Sequence, residues 1–113
     1  MPLKIDVLGV EYTVEKKSKQ EDSFLETCDG YCDKTARCIV VATKDDECNI
    51  GDFERYQRKV MRHEIIHAFL FESGLAENWK HEEWGHDETI IDWIAIQFPK
   101  LVKAFKAAGC YED

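Results

Sequence analysis

The sequence predicts an α+β fold: a small antiparallel sheet of three to four strands packed on two long helices, within one domain over residues 1–113. Three observations carry this expectation. Two N-terminal stretches alternate apolar and polar residues, a β-branched run stands near residue 40, and apolar side chains recur every three to four positions in two later segments. A length of 113 residues gives room for one hydrophobic core, and 44% hydrophobic with 12% aromatic residues is ordinary globular usage.

Leu3, Ile5 and Val7 alternate with Lys4 and Asp6, and Val10, Tyr12 and Val14 alternate again after Gly9, the pattern of two strands joined by a tight turn. The stretch Glu15 to Asp22 is charged and lacks apolar periodicity, which predicts a solvated strand end and loop. A second hairpin is expected from Gly30 to Thr43: it enters through Tyr31 and Cys32, turns at Asp33-Lys34-Thr35 and returns through Cys38-Ile39-Val40-Val41. Asp52 is placed to cap a helix over about 52–73, with Phe53, Tyr56, Val60, Ile66 or His67, Phe71 and Leu75 as its apolar positions and Gly74 as a left-handed stop.

After a polar and aromatic loop over 76–85, Asp87 can cap a second helix. There Ile90, Ile91, Ile94, Ala95, Phe98, Leu101, Val102 and Phe105 form an apolar stripe, and Gly109 ends it. Pro99 removes a backbone donor inside this pattern, at a typical cost of about 3 kcal/mol, so a kink or break is expected near Phe98.

Acidic side chains outnumber basic ones by 23 to 15, a net charge of −8, and the mean field of such a chain repels a phosphate backbone. Nucleic acid is therefore not an expected partner. The N-terminus carries charge at once and no run approaches about 18 uninterrupted apolar residues, which points to a soluble cytoplasmic protein without a membrane partner. The five cysteines contain no C-x-x-C, against a closed four-cysteine zinc site, and in a reducing compartment they are expected as thiols. In an exported protein Cys28 with Cys32, or Cys38 with Cys48, would be the pairs to consider. Oligomeric state is not legible.

His63-Glu64-Ile65-Ile66-His67 spells H-E-x-x-H in the middle of the first expected helix. Residues four apart share a helix face, so two imidazoles can converge on one ion at about 2.0–2.1 Å. Glu64 stands about 100° round the helix from His63, flanking such an ion as a general base for a metal-activated water. The alternative is a chance spacing of two histidines on a half-buried helix, with Glu64 solvated.

A catalytic zinc site needs a third protein ligand and an open fourth position. Glu88 is the first candidate, in the opening turn of the second helix, with Asp92 one turn further on the same face. Asp92 binding directly, with Glu88 in support, and His86 are the rivals. Trp79, Trp84 and Trp93 are expected as core and loop anchors, and His81 as a solvent-exposed loop residue.

H-E-x-x-H with a downstream E-x-x-x-D resembles the gluzincin metallopeptidases. More narrowly, the runs His63 to Leu75 and Asp92 to Pro99 look like small zincin-like proteins common in bacteriophages and prophages. The resemblance implies Zn2+ held by His63, His67 and Glu88, Glu64 as the base, and Asp92 as the carboxylate behind His63. It also implies a peptide or protein substrate paired along an edge strand, for which Cys38 to Val41 is the expected segment. Large gluzincins carry a further domain with oxyanion donors. Here that role would fall to Tyr31, His81, His86 or Tyr111. The competing function is a non-catalytic zinc-binding structural or regulatory protein of phage type, in which four protein ligands close the site.

Overall fold

Alternation at the N-terminus produces the strands it requires. Strand β1 (Leu3–Val7) pairs antiparallel with β2 (Val10–Lys17), Val7 standing opposite Val10 across a two-residue turn whose Leu8 and Gly9 both have positive φ. The computed structural model describes residues 2–74 and 88–112; the side chains of residues 88–92 and 95 lie outside that description. The expected placements of His81, His86, Trp79, Trp84, Leu75 and the Asp87 cap fall outside it as well.

The second hairpin joins β3 (Gly30–Asp33) to β4 (Cys38–Ala42), again antiparallel. Sheet order is β1-β2-β4-β3, and β4 runs parallel to β2, with Thr13 opposite Cys38 and Lys17 opposite Ala42. The fold is α+β as expected, with a mixed rather than wholly antiparallel sheet. The segment after β2, which includes the short 3-10 turn Ser23–Glu26, carries the chain to the far side before the hairpin folds back. Each adjacent pair is thus locally antiparallel in sequence, and the parallel pair arises only where the two hairpins meet.

One consequence corrects an expectation. Cys38 to Val41 is not an edge: β4 is flanked on both sides, and among the described residues the edge strands are β1 and β3. The long-range parallel pairing decides this, and no local pattern encodes it. A run of Ile39, Val40 and Val41, all fully buried, is what a strand covered on both faces requires.

Helix α1 (Phe53–Ser73) begins where Asp52 accepts a hydrogen bond from the Arg55 amide at 3.1 Å and ends at Gly74, whose φ of 85° reverses the chain. Met61, Ile65, Ala68 and Phe69 are its buried face, packed with Ile5, Val7, Tyr12, Val14, Ile39 and Val41 of the sheet. The stripe expected from periodicity differs. Tyr56, Val60, His67 and Phe71 are only half-buried and Ile66 is exposed, because these residues line the seam between α1 and β3 or face solvent.

Long-range bonds tie α1 down along its length, the Tyr56 hydroxyl donating to Asp29 among them. Gln57 donates to the Ala42 carbonyl at 2.8 Å, Arg62 Nη1 to the Cys110 carbonyl at 2.8 Å, and the Tyr12 hydroxyl to Glu72 at 2.7 Å.

Helix α2 (Glu88–Ala107) continues through Pro99, so of the expected kink or break near Phe98 no break occurs. Phe98 and Pro99 are both exposed. Of the expected apolar stripe, Leu101 is buried and Val102 and Phe105 are half-buried, Ile94 and Phe98 are 46% and 55% exposed, and the side chains of Ile90, Ile91 and Ala95 lie outside the described residues. Among the described residues no helix is long and apolar enough to cross a membrane, and all five cysteines are free thiols.

Helix α1 reaches β3 closely because residue 30 has no side chain. A Cβ there would stand 2.8 Å from Val60 Cγ1 and 3.0 Å from the Val40 carbonyl oxygen. Gly30→Ala should therefore destabilise the protein by about 1–3 kcal/mol in urea unfolding. Adding Val60→Ala should recover part of the loss, since the contact with the Val40 backbone remains. Equal stability of Gly30→Ala and wild type would contradict the close approach.

Candidate metal centre

One exposed turn of α1 brings His63 and His67 together as their spacing dictates. Their Nε2 atoms are 3.1 Å apart, with the rings edge to face at 72° and centroids 4.8 Å apart. Two nitrogens bound to a single ion at about 2.0–2.1 Å stand roughly 3.3 Å apart at the tetrahedral angle, so the pair needs little adjustment to share one. A hydrogen bond between the rings has the same length, but it uses one lone pair and one N–H where a metal uses two lone pairs.

Glu64 completes the cluster: one donor atom from each of His63, Glu64 and His67 lies within 4.8 Å of the others. Its position is not the solvated one of a chance motif. The residue is 8% exposed, the one polar member of the buried set among the described residues. It borders a groove of ≈ 260 Å³ between α1 and β3, with Gly30, Tyr56, Val60 and His63 also in the walls.

Burial pushes the Glu64 carboxyl above its ordinary value, while the nearby His63 acts in the opposite direction. Burial and the charge on His63 both lower His67, which keeps its ring neutral and its lone pair available near neutral pH. Phe71, one turn further on, stacks on His67 at 6.1 Å and 21°, and Lys34 from the β3–β4 turn sits 5.0 Å over the Phe71 ring.

Cys32, considered in the sequence as a thiol or a partner of Cys28, is a free thiol. It packs against the core on the α1 side of β3, and burial together with the Glu64 carboxylate raises its thiol to about 12. It is not part of the group of donor atoms formed by His63, Glu64 and His67. Phe71 and Cys32 both escape sequence reasoning because their relation to the motif depends on how α1 lies across β3.

The remaining expected site residues divide cleanly. Glu88 opens α2 and Asp92 follows it one turn later in the same helix, as the sequence predicts, but their side chains lie outside the described residues. Tyr31 is turned away from the cluster: strand alternation puts it on the opposite face of β3 from Cys32, and its hydroxyl donates to Asp22. Tyr111 lines a separate hollow with Lys106. Neither of these tyrosines reaches the histidine pair as an oxyanion donor.

The edge beside the groove is β3. The Ala42 amide donates to the Asp29 carbonyl at 2.8 Å, and antiparallel alternation then turns the backbone groups of Gly30 and Cys32 away from β4, toward the open side. Comparison of the chain with protein-family models, with curated proteins and with solved structures returns no match.

A raised carboxyl has a measurable sign. Because the folded value for Glu64 exceeds the unfolded one, the unfolded chain ionises first as pH rises past about 4.5, and the residue's contribution to stability declines from there upward. Glu64→Gln should be more stable than wild type near neutral pH in the presence of a chelator, with the gap closing below about pH 4. Urea melts at the two pH values test this, and a pH-independent gap would contradict it.

Proposed function

We propose that this chain is a zinc-dependent metallopeptidase that hydrolyses a peptide bond in an extended substrate. The observation that carries the reading is the imidazole pair at 3.1 Å with a buried carboxylate beside it, at the mouth of a groove that runs along an unpaired strand edge. Donor chemistry suits the metal: two neutral imidazoles and a carboxylate are a borderline set that favours zinc.

In this reading His63 and His67 would hold the ion from α1, Glu88 would be its third ligand, and Asp92 would be the carboxylate that fixes the tautomer of His63. When bound, zinc acts as a Lewis acid that lowers the pKa of water toward roughly 7. Glu64 takes the proton of the attacking water at a carboxylate oxygen and delivers it to the leaving amine. Its burial raises the carboxyl, which favours taking up the proton at the first transfer and opposes giving it up at the second.

Substrate backbone lies along β3, bonded to the outward groups of Gly30 and Cys32, which gives affinity with little sequence selection.

The test separates metal from chemistry. Protein purified without added metal should carry about one zinc per chain, absent from His63→Ala. Glu64→Gln should retain the zinc and lose hydrolysis of a peptide library by at least ~100-fold. Zinc retained without any difference between wild type and Glu64→Gln would leave a structural or regulatory zinc protein in place of a peptidase.

For the third ligand, Asp92→Asn should weaken zinc about 10–100-fold, and Glu88→Gln should weaken it more. The reverse order would exchange their roles.

A further inference from the structure

Strand β1 carries a charge pattern that neither the core nor the metal centre requires. Its two-residue turn makes Val7 and Val10 a hydrogen-bonded pair, so Ile5 and Leu3 also bond to β2, while the backbone groups of Lys4 and Asp6 turn toward the outer side of the sheet. Among the described residues β1 is an edge strand, and both Lys4 and Asp6 are exposed.

Ile5 and Val7 face the core, so Lys4 and Asp6 project from the opposite face of the sheet. There Asp6 stands directly opposite Glu11 of β2, a like-charge pair that costs stability across a ladder. Lys4 reaches Glu11 at 4.0 Å, with the two side chains 67% and 66% exposed. Within one chain, a single solvated cation therefore answers two carboxylates.

Lysine on an edge ordinarily discourages pairing with another strand. Here the same strand run in the opposite direction supplies the matching charge. When β1 meets the β1 of a second copy antiparallel, with Ile5 on the two-fold axis, Lys4 stands opposite the partner's Asp6 and Asp6 opposite the partner's Lys4. These are also the residues whose backbone groups face outward, so each pair exchanges both of its N–H to C=O bonds. Sliding the register by two residues either way sets Lys4 against Lys4 or Asp6 against Asp6, so charge admits one alignment.

The core-side face agrees. Leu3 belongs to the apolar row of Ile5 and Val7, which are 3% and 0% exposed, yet is itself 42% exposed. In the dimer register it lies opposite the partner's Val7. Beside that position runs a trough of ≈ 350 Å³ between β1 and α2, with Ile5, Leu8, Ala104 and Ala107 among its walls. Lys100 and Lys103, exposed at its rim, bring like charge toward the axis and keep the association reversible.

We propose that β1 is a self-association edge through which two copies of this chain pair antiparallel across Ile5 into one continuous sheet. Because β3 lies at the other end of the strand order, the grooves beside the histidine pairs stay open in the dimer.

Sedimentation velocity of the full chain over about 5–500 μM, with a chelator present to prevent metal bridging, tests the proposal. Wild type should shift from monomer to dimer as concentration rises. Asp6→Lys and Lys4→Asp, each alone, set like charges opposite each other in both pairs and should weaken self-association at least ~tenfold. Mixing the two variants sets two acids against two lysines and should restore a dimer containing one copy of each. Asp6→Lys also turns the repulsion with Glu11 into an attraction, so its loss of dimer does not come from a weakened hairpin. Circular dichroism melts check the folding of Lys4→Asp.

A wild-type chain that stays monomeric across the range, single variants that dimerise as wild type does, or a mixture that stays monomeric would each overturn the proposal.

Discussion

The close crossing of α1 over β3 at Gly30 is the contact on which the rest of the arrangement depends. With no Cβ between them, the helix lies near enough to the strand for Glu64 to be taken out of water and for Cys32 to be held as a thiol beside it. Tethers at Gln57, Arg62 and Glu72 hold the helix at its beginning, middle and end, so the crossing is fixed in rotation as well as in distance. Rotation matters here, because it directs one face of α1 into the core, a second along the groove and a third to solvent.

What could be read from the sequence was what local chemistry encodes. Asp52, Gly74 and the four-residue spacing of His63 and His67 act within a turn or two of themselves, and the helix has the ends and the paired imidazoles that these residues specify. The hairpins followed from alternation and turn residues for the same reason. Strand order did not, since the parallel pairing of β2 with β4 joins residues 13–17 to residues 38–42 and moves the edge from β4 to β3. Periodicity also found the wrong face of α1, because it counts apolar residues without distinguishing a core from a half-buried groove. Tyr56, Val60 and Phe71 are apolar enough to look like core and are needed beside the histidines instead.

Pro99 shows that a local cost need not end an element: α2 continues through it at a position where both the proline and Phe98 are exposed.

The parallel seam between the two hairpins has a consequence for how the molecule reaches this shape. Each hairpin closes over a few residues and forms quickly, but the seam between them must wait for a chain segment of two dozen or so residues to close, with its entropy spent before any ladder bond repays it. That seam sets the place of β3, so a helix carrying both imidazoles can exist in the collapsing chain before the strand that borders them has been laid down. The motif is local and early; the enclosure around its carboxylate is global and late.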